Sequence, residues 1–184
     1  MSNLLRNTKV YLVGPVEFSG DSISWRDDMG LFLDGIGVRS YDPLKKKSFY
    51  PEMTLGNPSD WYTAPPAESA EAARFIVDVS RRFAQDCDFM IVNLPRTFTV
   101  GTMDELKIAV EAKKPIFIVN KDGIPSTWFM GLFPHTKWDE VFFKDWDSLK
   151  EHIRLIDNGE KQVDPLDWIF LSYFQEKSYV RLDT

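Results

Sequence analysis

The stretch Phe89-Met90-Ile91-Val92-Asn93-Leu94 constrains the fold more than any other part of the chain. It is a continuous apolar run without in–out alternation, the pattern of a strand covered on both faces. Strands of that kind belong to parallel sheets with helices on either side. Three more short runs resemble it. Lys9-Val10-Tyr11-Leu12-Val13 stops at Gly14-Pro15, Val38-Arg39-Ser40-Tyr41 closes with Asp42-Pro43, and Ile116-Phe117-Ile118-Val119 follows Pro115. Each reads as a strand ended or entered through a breaker.

Helical periods fill the gaps. Ser24 is placed to cap a helix running to about Asp34, with Trp25, Met29, Phe32 and Leu33 on one face. Residues 67–85 carry an apolar stripe of Ala72, Phe75, Ile76, Val79 and Phe83. Gly101-Thr102 opens a helix that turns Met103, Leu106, Ala109 and Val110 inward and ends at Lys113 and Lys114, where its dipole favours cations. The strand–helix alternation calls for right-handed crossovers. The expected fold is therefore a single-domain, three-layer α/β sandwich around a four- or five-stranded, mostly parallel sheet of the flavodoxin or Rossmann kind.

Val141-Phe142-Phe143 is the candidate fifth strand. Trp146, Leu149, Ile153 and Ile156 mark a helix stopped by Asn158-Gly159, and a last helix from about Pro165 completes a helical extension over 146–184. Between residues 44 and 66 no period is visible; the stretch holds four prolines, a lysine run, and Phe49, Tyr50, Trp61 and Tyr62. A loop of that length either covers a pocket or is a surface insertion, and the residues leave both readings open.

Composition narrows the function classes. A chain of 184 residues with 43% hydrophobic and 27% charged residues can bury a core. A net charge of −6 argues against a nucleic-acid polymer as partner, but not against one nucleotide in a local pocket. Cys87 is the single cysteine, so neither an internal disulfide nor a cysteine metal cluster is expected. The first residues lack the apolar segment of a signal peptide, and no run approaches the ~18 apolar residues of a membrane helix. The expected location is cytoplasmic, with no membrane partner.

In open parallel sheets ligands bind at the carboxyl ends of the strands. That rule selects residues 14–21, 95–105 and 120–126. No G-x-G-x-x-G or G-x-x-x-x-G-K follows a strand, and His135 and His152 stand in no metal or triad spacing, so no metal or cofactor is expected. What remains is carboxylates. Glu105, in the first turn of a helix at a strand mouth, can attack a sugar carbon or stabilise the charge on one. It also fits a capping box, with Thr102 as cap and Glu105 reaching back to the Thr102 amide.

Three segments resemble the nucleoside 2-deoxyribosyltransferase family: Val10-Tyr11-Leu12-Val13-Gly14-Pro15, Asp88 to Leu94, and Gly101-Thr102-Met103-Asp104-Glu105-Leu106 leading to Ala109 and Lys114-Pro115. The resemblance implies cleavage of the N-glycosidic bond of a (2-deoxy)nucleoside or nucleotide through a glycosyl-glutamate intermediate. The sugar then passes to another base or to water. It makes Glu105 the nucleophile and Tyr11 the phenol that holds it. Gly14, Pro15 and Gly101 of the shared segments are candidate substrate contacts, with Asn93 at the end of the third strand. Phe18 and Trp61 are candidates for stacking on a base, Asp21 for the ribose, and Arg26 for a 5′-phosphate. The family's usual acid falls on Ser80, and Asp78, two residues away, is the substitute for protonating the base. Family members assemble, so a homodimer or higher homo-oligomer is expected. Two alternatives stand beside this reading: an inactive nucleotide- or protein-binding domain, and a glycohydrolase of an NAD-type substrate.

Overall fold

The computed structural model describes residues 3–15, 23–45, 66–96, 99–123, 129, 131 and 138–163. Their order is β1 (Lys9–Val13), α1 (Ser24–Gly35), β2 (Arg39–Tyr41), a 3₁₀ turn (Pro43–Lys45), α2 (Pro66–Asp86), β3 (Phe89–Asn93), α3 (Val100–Glu111), β4 (Ile116–Val119), α4 (Trp138–Val141), β5 (Phe142–Phe143) and α5 (Trp146–Asp157). The five strands form one sheet in the order β2-β1-β3-β4-β5, and every pairing is parallel. This is a flavodoxin-like three-layer arrangement, in which the winding reverses between β1 and β3.

Side chains along each strand alternate between two cores. Val10, Leu12, Phe89, Ile91, Phe117, Val119 and Phe143 join Trp25, Met29 and Leu33 of α1 and Leu149, Ile153 and Ile156 of α5. Tyr11, Val13, Met90, Val92, Ile116 and Ile118 join Val79, Phe83 and Ala84 of α2 and Leu106 and Ala109 of α3. The amides of Leu4 and Leu5 bond to the carbonyl and carboxylate of Asp157, tying the start of the chain to the end of α5.

Most expected elements are present, with three corrections. Ser24 does not cap α1: the N-cap position is Ile23, which makes no side-chain cap bond. Thr102 does not cap α3 either. The cap is Thr99, whose Oγ1 accepts from the Thr102 amide at 3.3 Å, so Glu105 lies in the second turn. Finally, the described residues of the α2 stripe are not buried alike. Val79 and Phe83 are in the core, whereas Phe75 is 38% exposed. Geometry explains the difference. The 21 residues of α2 span about 31 Å, while the 5-residue strands beneath span about 17 Å. The helix therefore overhangs the sheet. By the parallel topology its amino-terminal part lies at the carboxyl ends of the strands.

Candidate functional site

β1 presents Tyr11 to the α2–α3 face, where the residue is fully buried. α3 starts at the carboxyl edge of the sheet and brings down Glu105, which stays partly exposed. The two meet. The Tyr11 hydroxyl donates to Glu105 Oε1 at 2.7 Å, a short bond of the kind charged acceptors make. Glu105 is thus aimed at the sheet, not folded back on its own helix as a capping box would require. Burial, followed by the charge and hydrogen bond of Glu105, pushes the Tyr11 phenol well above its ordinary 10.0, against smaller effects of Ser80 and Arg26. At neutral pH the phenol therefore keeps its proton and acts as a donor. Phe83 fixes the ring from the side, its centroid 5.6 Å away.

Arg26 is a different residue from the one the sequence suggests. It is not on the surface but 1% exposed. Its Nη2 donates to the Gly14 carbonyl at 2.7 Å, and its Nε lies 3.7 Å from Asp42 Oδ1 at the end of β2. Burial lowers its pKa; Asp42 and then Tyr11 and Glu105 oppose that shift. The guanidinium pins the turn after β1 to α1 and places a positive charge behind the Tyr11–Glu105 pair. The buried carboxylate of Asp42 went unnoticed in the sequence; its only signal is its place at a strand end before Pro43.

At the reversal point the strands come very close. A side chain on Gly14 would put its Cβ 3.0 Å from the Asn93 carbonyl oxygen and 3.2 Å from the Trp25 ring, so only glycine fits without movement. Pro15 is buried beside it and Asn93 is half-buried. Gly101 differs: among the described residues, a Cβ there would meet only Thr99 Oγ1, at 3.8 Å. Asp78 is exposed on α2, where its charge acts on Arg81. Ser80, 8% exposed on the inner face of α2, is the α2 residue that acts on the phenol, opposing the rise in its pKa. Phe18, Asp21 and Trp61 lie outside the described residues.

Among the described residues no cluster of three His, Cys, Asp or Glu side chains is placed to hold a metal. No described helix is long and apolar enough to cross a membrane. A cleft of ≈ 430 Å³ lined by Asn7, Lys9, Asp34, Gly37, Val38, Arg39 and Ser40 lies at the amino ends of β1 and β2, away from Tyr11 and Glu105. It belongs to the wrong end of the sheet for the rule that places ligands at strand carboxyl ends.

By sequence the chain matches no family model and no curated protein. By fold it is similar to a 2-deoxyribosyltransferase from Bacillus psychrosaccharolyticus, with a TM-score of 0.54 at 17% identity over 77% of this chain and 90% of that one. It is also similar to a CMP N-glycosidase from Clostridium botulinum, with a TM-score of 0.50 at 14% identity over 80% of this chain and 98% of that one. A 2-deoxyribosyltransferase from Leishmania mexicana follows at 0.49, with 17% identity over 79% of this chain and 98% of that one.

Proposed function

We propose that the protein cleaves the N-glycosidic bond of a nucleoside or nucleotide, with Glu105 as nucleophile. The observation that carries this reading is the 2.7 Å bond between Tyr11 and Glu105 at the carboxyl edge of the sheet. A carboxylate held there by a neutral donor is oriented before substrate arrives, which removes part of the entropy cost of attack. The solved structures with which the chain shares its fold include a deoxyribosyl-transferring enzyme and a nucleotide glycosidase, both of which act at such a bond.

In the proposed reaction a Glu105 oxygen attacks the anomeric carbon while the bond to the base breaks and its electron pair leaves with the base. The glycosyl-Glu105 ester then yields its sugar to water or to a second base. Asp78 is assigned the proton for the leaving base. It is exposed on α2, two residues toward the amino end from Ser80, and that end lies at the carboxyl edge of the sheet. Gly101 is exposed in the first turn of α3, where a ligand can approach the backbone. Arg26 acts from behind, through its charge and its hold on Gly14, rather than as an exposed phosphate contact.

The test is incubation with nucleosides, nucleoside monophosphates and NAD, with and without a free acceptor base, and chromatography of the bases. Release that disappears in Glu105→Gln supports the reading. No release from any substrate shifts the weight to a binding domain on the same fold, and release from NAD alone shifts it to the NAD-type alternative. Asp78→Asn is expected to slow release most for bases that leave poorly without a proton.

A further inference from the structure

The turn of α3 that carries Glu105 is tied down on two successive residues. Glu105 accepts from the Tyr11 hydroxyl of β1 at 2.7 Å. Asp104, the residue before it, accepts a fork from Arg81 of α2, Nε to Oδ2 at 2.8 Å and Nη2 to Oδ1 at 3.2 Å. Two bonds from a planar guanidinium to one carboxylate fix direction as well as distance, which a lysine ammonium at that place would not do. The fork also holds the Asp104 carboxyl below its ordinary range.

The second tie has a geometric consequence. Successive residues of an α-helix point about 100° apart, so Tyr11 and Arg81 pull the same turn in two directions, one toward β1 and one toward α2. A single tie would leave the helix able to roll about its axis, and the buried footing of α3 is small, consisting of Thr102, Leu106 and Ala109. The two ties also differ in the proposed reaction. Once Glu105 carries the sugar as an ester its charge is gone, and the bond from Tyr11 weakens, because charged acceptors make the stronger bonds. Asp104 keeps its charge, so the fork holds the turn through both steps.

We infer that Arg81 is a positioning residue: by forking onto Asp104 it fixes the turn of α3 that presents Glu105 to the anomeric carbon. The inference rests on the proposed role of Glu105 and extends it to the outer side of the two helices. The competing reading is an ordinary surface ion pair, since both side chains reach solvent and such pairs contribute little to stability. Little stability is expected here too. What separates the readings is chemistry, because a small displacement of a reacting group is felt in the rate before it is felt in folding.

The test uses Arg81→Ala, Asp104→Ala and the double variant. Their melting temperatures should stay within about 3 °C of the native value. In each single variant kcat for base release should fall about three- to tenfold, with KM within about twofold. The double variant should lose no more than either single one, because the two residues act as one tie. A second readout is the Tyr11 hydroxyl proton by NMR on tyrosine-labelled protein, a slowly exchanging signal that should exchange faster in all three variants. Unchanged kcat in the single variants, or losses that multiply in the double one, overturns the inference. A larger fall in melting temperature makes the fork a stabilising pair and also overturns it. If the native protein releases no base from any substrate, the glycosidic reading is withdrawn and the hydroxyl signal alone decides: faster exchange in the variants supports the positioning role, and unchanged exchange overturns it.

Discussion

On one face of the sheet, Val10, Leu12, Ile91 and Val119 pack against Met29, Leu33, Ile153 and Ile156 in an apolar core. On the other, the alternate positions of the same strands include Tyr11, and α2 and α3 add buried Ser80 and Thr102, with Glu105 at the rim. The first core is held by apolar packing. The second gives up part of its apolar packing to hold a carboxylate by the hydrogen bond from Tyr11. Damage to the first face should therefore show in stability, and damage to the second in chemistry.

The largest expected effect on folding comes from the apolar face. Ile153→Ala, in the middle of α5 and fully buried, should lower unfolding free energy by about 2–5 kcal/mol in urea titration and leave base release per folded molecule unchanged. Tyr11→Phe should do the reverse. It removes one hydroxyl and should lower stability by only about 1 kcal/mol, yet reduce kcat by about 10- to 100-fold as Glu105 loses its orientation. Similar losses of stability in the two variants, with no loss of activity in the second, would erase the distinction between the faces.

The faces should also fail at opposite ends of the pH scale. His152 packs edge-on against Phe117 and Phe143 on the apolar face. Burial, with Lys161 adding to it, lowers its pKa from 6.5 to about 4. The unfolded chain then binds this proton first, so the ring's contribution to stability is complete above pH 6.5 and is lost as pH falls through about 4. His152→Phe should flatten that acid limb. On the other face, burial raises Cys87 from 9.0 to about 11 and raises Tyr11 above its ordinary value. Their contributions are complete below those ordinary values and are lost as pH rises. Cys87→Ala should flatten stability between pH 9 and about 11. The smallest effect is expected at the surface, where Arg81 and Asp104 are 50% and 36% exposed. Arg81→Ala should barely move the melting temperature, and high salt should mask the change.

The sheet was legible because it depends on local pattern. The apolar run at 89–94 needs cover on two faces, and the breakers at Gly14, Asp42-Pro43 and Asn158-Gly159 stand where the elements end. The caps were not legible, because which side chain reaches a free amide depends on how the chain enters the helix. Thr102 read as the cap, and the way the chain enters the helix gives that place to Thr99. Phe75 of the α2 stripe misled for a geometric reason, since periodicity does not reveal that a helix is longer than the strands below it. At the site, resemblance singled out Tyr11 and Glu105, and the structure joins them by a hydrogen bond of 2.7 Å. The burial of Arg26 could not be read, because its partners Gly14 and Asp42 come from two separate strand ends. Ser80 was visible only as a missing acid, and the structure buries it on the inner face of α2.

Mass spectrometry of the protein quenched during turnover tests the central proposal most directly. With a 2-deoxynucleoside or nucleotide substrate that the native protein cleaves, the peptide containing Glu105 should carry the mass of the sugar. The same peptide from Glu105→Gln should carry none. Steady release of base by Glu105→Gln at the native rate, or a sugar adduct on any other carboxylate, would contradict it.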